Sequence, residues 1–209
     1  MRLSRTLVPA ALALGVIAAP IAHAAPVKIK TYVLTDPAGD ANGLNDQGGL
    51  VPVGGDGSPG PGSDASKDIL SLTYKTTAKG ATCTGFTVEL KLSAAPSAST
   101  LYRIRGTAPV NASLWWLQYD GTTTKLRFSD GSGTGVADST SVPLTTPAAV
   151  KGSSILFTVL EKDLKASNEK LKGFVITGPG SDIRTISPAA TAPEWDAVNA
   201  PDASFKPCS

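Results

Sequence analysis

The sequence predicts an all-β protein: a two-sheet antiparallel β-sandwich with one short helix and a long loop rich in Gly, Pro and Asp. Short runs of alternating apolar and polar residues recur along the chain, as expected for strands with one buried face. Residues that favour turns separate these runs at intervals of about 8–12 residues, which is typical of sandwiches and barrels. Residues 25–209 are numerous enough to form one domain with its own core.

The N-terminus has the three parts of a secretory signal peptide. Met1–Arg5 is basic, residues 6–19 are apolar, and Ala22-His23-Ala24 supplies the small residues of a cleavage site. Prolines interrupt the apolar run, which is also shorter than the roughly 20 residues that a membrane-spanning helix needs. We therefore expect residues 1–24 to be removed, and the protein to be secreted with no membrane span after cleavage.

Removal of this leader changes the charge and the available chemistry. It takes two of the 19 Lys and Arg residues and leaves a count equal to the 17 Asp and Glu residues, so the mature protein is close to neutral. It also takes the single His and the single Met. A chain without His has no Ser-His-Asp triad and no His ligand for zinc or haem. A neutral surface argues against nucleic acid as a partner.

The first predicted strand, Lys28–Leu34, precedes a long acidic loop over residues 35–67. Phe86–Leu92 shows the cleanest alternation, with Thr, Glu and Lys between apolar residues. The other predicted strands are Ile69–Tyr74, Leu101–Gly106, Ser113–Tyr119, Lys125–Phe128, Ser154–Val159 and Gly173–Thr177.

Turns and one helix complete the predicted elements. Asp120-Gly121, Asp130-Gly131 and Gly178-Pro179-Gly180 are each typical of turns between strands. Glu161–Ala166 is predicted to form a short helix, because Leu160 and Leu164 pack inward while Lys162 and Lys165 share an exposed face.

Two cysteines, Cys83 and Cys208, remain after cleavage of the leader. An even count in an exported protein predicts one disulfide, which would pin the tail over residues 188–209 to the body of the domain. Closing so long a loop would contribute about 5 kcal/mol on the chain-entropy model. Two free thiols are the alternative, and the spacing excludes a Cys-x-x-Cys redox motif.

The acidic loop is the candidate metal site. Short oxygen-bearing side chains among glycines are the ligands that calcium prefers, and the segment from Asp36 to Asp68 is rich in them. The spacing is not that of an EF-hand, since the sixth-position Gly and twelfth-position Glu are missing. The alternative is an ordinary tight turn, because Asp bonds its own backbone and Gly supplies positive φ.

The aromatic residues of the middle strands are the candidate ligand site. Trp115 and Trp116 are adjacent and so face opposite sides of a sheet, Trp115 with Tyr119. We expect one Trp to be in the core, and the other, with Tyr119 and Tyr102, to form an exposed platform for stacking sugar rings. The alternative is that either Trp is simply core.

Three motifs carry a family resemblance: Asp36-Pro37-Ala38-Gly39-Asp40 with Asn42-Gly43, then Asp68-Ile69-Leu70-Ser71-Leu72, then Phe86-Thr87-Val88-Glu89-Leu90. In this order they resemble the DOMON-like β-sandwich modules, of the glucodextranase C-terminal and family 9 carbohydrate-binding type. The overall layout is similar to that of small secreted actinobacterial proteins. The resemblance implies a calcium ion near the start of the domain and a role in binding. Carried over to this sequence, the ion ligands would be Asp36, Asp40 and Asp68, with Asn42 or a backbone carbonyl near Gly43 adding oxygens.

Catalytic motifs are weak, and we do not expect an enzyme. Glu89 lies on the polar face of a strand, and the other glutamates lie in charged surface runs or in the tail: Glu161, Glu169 and Glu194. No base is available to activate a serine. The sequence therefore favours a secreted, calcium-stabilised module that recognises carbohydrate or another cell-envelope ligand. The alternative function is a structural or protein-interaction role in the envelope with no sugar ligand.

Overall fold

The computed structural model describes residues 27–39, 64–98, 100–108, 113–128, 140–166, 169–185 and 194–208. The predicted signal peptide, the turn Asp130-Gly131 and most of the acidic loop lie outside these ranges. The described strands are β1 Thr31–Thr35, β2 Ile69–Lys79, β3 Thr82–Leu92, β4 Thr100–Ala108, β5 Ser113–Tyr119, β6 Thr124–Phe128, β7 Thr140–Pro143, β8 Ala149–Lys151, β9 Ser154–Leu160, β10 Ile176–Thr185, β11 Glu194–Asn199 and β12 Ser204–Phe205. The helical elements are a 3-10 turn, Ala65–Lys67, and α1, Glu161–Lys165.

The strands form two antiparallel sheets, which confirms the predicted all-β sandwich. The first sheet has the order β1-β2-β3-β9-β8. The second has the order β11-β10-β4-β5-β6-β7, with β12 also paired to β10. None of the described residues belongs to a helix with the length and hydropathy that crossing a bilayer requires.

The core lies between the two sheets and follows from the alternation in the sequence. On β3, Phe86, Val88, Leu90 and Leu92 are fully buried, while the residues between them face outward. The ring of Phe86 meets three other aromatic rings, at centroid distances of 6.0–6.4 Å: Trp115, Phe174 and Phe205. Such a cluster of rings joins both sheets and the C-terminal tail in one hydrophobic unit.

The short helix was placed correctly by its sequence. Its first turn is held by the buried Asp163, whose Oδ2 accepts the backbone N–H of Leu160 at 2.9 Å. The other oxygen, Oδ1, accepts the N–H and the hydroxyl of Thr145, at 2.9 and 2.6 Å. Leu164 is fully buried, so α1 closes one end of the sandwich.

The predicted disulfide between Cys83 and Cys208 is present, with the Cα atoms 5.9 Å apart. Two further contacts dock the tail beside it. The hydroxyl of Thr76 donates to the carbonyl of Pro207 at 2.7 Å, and Phe205 packs on Tyr74 with a centroid distance of 5.5 Å. The tail therefore covers the end of β2 and β3.

The region around β10 differs from the sequence prediction. The predicted strand Gly173–Thr177 is wrong in its bounds, because the strand begins at Ile176 and continues through Gly178-Pro179-Gly180, which the sequence predicts as a turn. Against β4, Thr177 pairs with Thr107 and Gly180 with Arg105, so β10 has one extra residue here. The glycines and the proline form a β-bulge within the strand.

Candidate functional site

Asp36 lies where β1 ends, beside the start of β2. Its backbone N–H donates to the carbonyl of Leu70 at 3.0 Å, which extends the β1–β2 pairing by one step. The turn that follows brings Gly39, at φ +85°, back towards the residue that precedes β2. A positive φ of this size is readily adopted only by glycine.

Asp68 directly precedes β2 and is only 4 % exposed. Its two carboxylate oxygens accept the N–H of Gly39 at 3.1 and 3.0 Å, and the hydroxyl of Ser93 also donates to Oδ2. Asp68 therefore holds the turn after β1 against the loop after β3. These bonds account for its burial without an ion.

Asp196 lies next to this site and is a residue that sequence reasoning missed. It is on β11 of the second sheet, and its Oδ2 accepts the backbone N–H of Ile69 at 2.6 Å. It thus connects the two sheets next to Asp68. Nothing in the sequence around Asp196 indicates this contact, because 127 residues separate the two partners.

The carboxylates at this end suit a hard cation in their chemistry, but the described residues provide only part of a calcium site. Asp36 and Asp68 are brought to the same end of the first sheet, whereas Asp40 and Asn42 lie outside the described residues. Within the described ranges, no three His, Cys, Asp or Glu side chains are arranged to hold a metal ion.

Trp115 and Tyr102 are both buried in the core: one Trp is core, as predicted, but Tyr102 is not part of an exposed platform. Trp115 is fully buried and packs edge-on against Phe86. Tyr102 is also fully buried; its hydroxyl donates to the carbonyl of Ser66 at 2.9 Å and accepts the N–H of Ser97 at 2.7 Å. Burial raises the pKa of Tyr102.

Tyr119 and Trp116 do not form a joint platform either. Tyr119 is on the inner side of β5 with Trp115 and Leu117, where its ring lies 6.4 Å from that of Tyr102. Trp116 is half-buried on the outer side of the same strand. The pleat separates the two rings, so of the four aromatic candidates Trp116 alone is placed to meet a ligand on the outer face.

A charged network surrounds this part of the outer face. Asp182 on β10 is fully buried, and the Nε of Arg103 on β4 lies 2.6 Å from its Oδ1. The Nε of Arg105 lies 3.8 Å from Oδ2. The buried carboxylate thus holds Arg103 by a direct hydrogen bond and attracts Arg105 on the same outer face of β4. Arg103 and Arg105 alternate with the buried Tyr102 and Ile104; this alternation is the signal in the sequence that could have placed the two arginines on the outer face.

Strand register aligns Trp116 with this network. Trp116 pairs with Arg105, Arg105 pairs with Gly180, and Gly180 pairs with Asn199. A Cβ at Gly180 would lie 2.7 Å from the carbonyl oxygen of Val198, so only glycine fits between β4 and β11. The missing side chain leaves a gap in the row between Arg105 and Asn199.

A groove of about 340 Å³ lies over the bulge of β10. Its size is at the lower end of the range for small-molecule sites, about 300–1,000 Å³. Its walls are formed by β4, by the bulge and by the segment that follows β11: Arg105, Gly106, Thr107, Thr177, Gly178, Asn199 and Pro201. The N–H of Gly178 donates to the carbonyl of Ala203 at 2.9 Å, and the N–H of Ala200 donates to that of Pro179 at 3.0 Å. These bonds tie the bulge to the far wall of the groove.

We refer to this groove together with Trp116, Arg103 and Asp182 as the outer-face site. It is built on paired strands and on a buried ion pair, so its side chains are held in place before a ligand arrives.

Comparison with known proteins adds no relative: no protein-family model, no curated protein and no solved structure matches this chain. The likeness to DOMON-like modules stays a prediction from the motifs.

Proposed function

We propose that this protein is a secreted, non-catalytic binding module that recognises carbohydrate or another cell-envelope ligand through the outer-face site. One observation carries the proposal: Trp116 and Arg105 form a cross-strand pair beside the groove over the β10 bulge. Trp116 offers an apolar ring face, and Arg105, Thr107 and Asn199 offer hydrogen-bonding groups next to it. Sugar rings present the same combination of apolar C–H faces and hydroxyl edges.

The site suits binding better than chemistry. The lining has hydrogen-bond donors and acceptors but no carboxylate pair that could act as general acid and base. Arg105 lies within ion-pair distance of Asp182, at 3.8 Å, and the strands that carry the site are fixed by the sheet, so little backbone order has to be gained when a ligand binds.

A calcium ion at the end of β1 is the second part of the proposal. Asp36, Asp40, Asn42 and Asp68 would hold it, and the ion would supply positive charge between acids that otherwise repel one another. The turn from Asp36 to Gly39 already wraps around Asp68. An ion there would fasten the acidic loop to the start of β2.

Secretion is supported by the disulfide between Cys83 and Cys208, since such bonds persist in oxidising compartments. The leader-like sequence at residues 1–24 supports the same location.

A protein-interaction role in the envelope is the competing function, and the first sheet favours it. Within the described residues β1 pairs only with β2, and Ile29 and Val33 are 48 and 52 % exposed. An unpaired strand edge with apolar residues is a template for pairing with another chain. Thr73 and Glu89 lie between Val33 and Leu156 in register, so the exposed apolar residues of this face form no continuous patch. The feature that favours a protein partner is therefore the edge of β1, and not the face of the sheet.

Affinity electrophoresis through neutral and acidic polysaccharides tests the binding role. We expect retardation of the mature protein in at least one gel, and Trp116→Ala to weaken the interaction about tenfold, because the stacking face is lost. Leu156→Ala is the matched control: it removes an exposed apolar side chain from the outer face of the other sheet and should leave the retardation unchanged. Binding that Trp116→Ala leaves intact would argue against the outer-face site.

Thermal unfolding with calcium or with excess EDTA tests the ion separately. A site occupied at 100 times its Kd stabilises the fold by about 2.7 kcal/mol, which raises Tm by about 5–10 °C in a domain of this size. Asp68→Asn should remove the calcium dependence, whereas Asp202→Asn, in an exposed turn, should keep it. An equal Tm in both buffers would reduce the acidic segment to a turn and loop and would leave the outer-face site untouched.

A further inference from the structure

We propose that the ligand of the outer-face site is an anionic, hydroxyl-rich polymer whose carboxylate or phosphate group binds Arg105 in the groove. This inference rests on the proposed binding function and adds the chemical class of the ligand. Nothing in the sequence motifs points to it; it comes from the way the strands place charge around the groove.

Arg105 is the charged residue of the groove lining. Its side chain is 37 % exposed, and its Nε lies 3.8 Å from Asp182, beyond a direct hydrogen bond. Arg103, at 2.6 Å, takes the close contact with the same carboxylate and is only 14 % exposed. The two arginines therefore differ in role. Arg103 neutralises the buried acid, while Arg105 presents its guanidinium to the groove.

The rest of the lining supports an anion together with neighbouring hydroxyls. Thr107 and Thr177 contribute hydroxyl groups and Asn199 an amide, and no acidic side chain is among the described lining residues. A planar guanidinium binds a carboxylate or a phosphate oxygen pair through two parallel bonds, which an uncharged sugar does not offer. Asn199 lies across the gap left by Gly180 and can reach the hydroxyls beside the acidic group.

The surroundings of Arg105 are also positive, although the mature chain is close to neutral. In register, Arg103 is followed by Gln118 and Lys125, and Arg105 is followed by Trp116. Among the described side chains, Arg103, Arg105 and Lys125 thus lie on this part of the face, and Asp182, which pairs with Arg103, is the acid beside them. A polymer with repeated negative charges would meet a complementary surface across these strands.

Calorimetric titration of the mature protein with three short probes tests the inference. The probes are trigalacturonate, its fully methyl-esterified form and a trimer of glycerol phosphate. We expect at least one acidic trimer to bind and the ester to bind at least tenfold more weakly, because esterification removes the charge and keeps the ring. The acidic trimer with the lower Kd tells whether carboxylate or phosphate is the natural group. Affinity for that trimer should fall as salt is raised.

Variants separate the charge of Arg105 from its shape. Arg105→Gln should weaken binding of the acidic trimer about 10–100-fold. Arg105→Lys should weaken it less, since lysine keeps the positive charge and loses only the two parallel N–H donors of the guanidinium. Lys75→Gln, an exposed cation on the first sheet, is the control and should bind as wild type does. Asn199→Asp places a negative charge on the far wall of the groove without touching the ion pair, and should also weaken binding of the acidic trimer.

The outcomes distinguish this inference from the function on which it rests. Equal binding of the acid and its ester, weakened by Trp116→Ala and not by Arg105→Gln, would overturn the anionic ligand and keep the binding module. Failure of both acidic trimers to bind at millimolar concentration would overturn the inference as well. If neutral polysaccharides also failed to retard the protein, the proposed function would fall with it.

Discussion

Loss of the disulfide should be the largest stability change that two conservative substitutions can cause in this protein. Cys83 and Cys208 are 125 residues apart in sequence, so their bond removes much of the freedom of the unfolded chain. On the chain-entropy model a loop of this length contributes about 5 kcal/mol. That value is comparable to the whole free energy of unfolding of many domains.

The double variant Cys83→Ser/Cys208→Ser tests this magnitude by urea denaturation under two-state conditions. With an m-value of about 2 kcal/mol per molar urea, the loss corresponds to a midpoint lower by about 2.5 M. Reduced wild-type protein should unfold near the same midpoint as the variant. Phe205→Ala is the comparison variant. It removes the tail's main core contact and should cost about 3–5 kcal/mol by cavity formation, while the disulfide stays intact.

A midpoint change below about 0.5 M in the double variant would refute the chain-entropy reasoning. It would mean that Thr76, Phe205 and Pro207 hold the tail in place and that the covalent bond adds little to them. A large loss in Phe205→Ala with a small loss in the cysteine variant would point to the same conclusion.

Three further predictions concern single residues. Burial alone would raise the pKa of Asp120, but hydrogen bonds from Thr123 and Thr122 outweigh it and lower the pKa. The resulting stabilisation is therefore present above about pH 4 and fades as the pH falls further, so Asp120→Ala should cost about 1–2 kcal/mol at pH 7 and less at pH 3 in urea unfolding. Burial raises the pKa of Glu169, so its charged form destabilises the fold at neutral pH; Glu169→Gln should raise Tm at pH 7 and leave it unchanged at about pH 3, and an equal gain at both values would contradict this cause. Gly180→Ala should cost about 1–3 kcal/mol and weaken ligand binding, because its Cβ would press on β11; a stable, fully binding variant would show that the strands can separate there.

Much of the fold could be predicted because the alternation of apolar and polar residues along the chain is a local signal. The alternation over Phe86–Leu92 gave the strand, its buried face and its outward face, and the structure confirms all three. Short strands with little alternation were missed. Ala149–Lys151 is exposed throughout, and Ser204–Phe205 has two residues, so neither carries a pattern to detect. At β10 the preference of Gly-Pro-Gly for turns was overridden by tertiary pairing with Arg105 and Thr107.

The site was predicted less well, because it depends on contacts between residues distant in sequence. Pleat parity correctly separated Trp115 from Trp116, yet the same parity places Tyr119 inside, where it cannot join Trp116. The burial of Asp182 under two arginines comes from pairing of β10 with β4, about 80 residues apart, and no local pattern encodes it. The groove itself follows from a bulge that the sequence presents as a turn.

The most direct test of the outer-face site is a two-dimensional NMR titration, of backbone amide and side-chain N–H groups, with the better-binding acidic trimer. Trp115 and Trp116 are adjacent on β5 and face opposite sides of the sheet, so the indole N–H signal of the buried Trp115 is an internal control for that of Trp116. We predict that the Trp116 indole and Arg105 Nε–H signals shift progressively with added trimer while the buried Trp115 indole signal stays in place. Shifts confined to first-sheet residues such as Thr73 and Glu89, with Trp116 and Arg105 unchanged, would contradict the account.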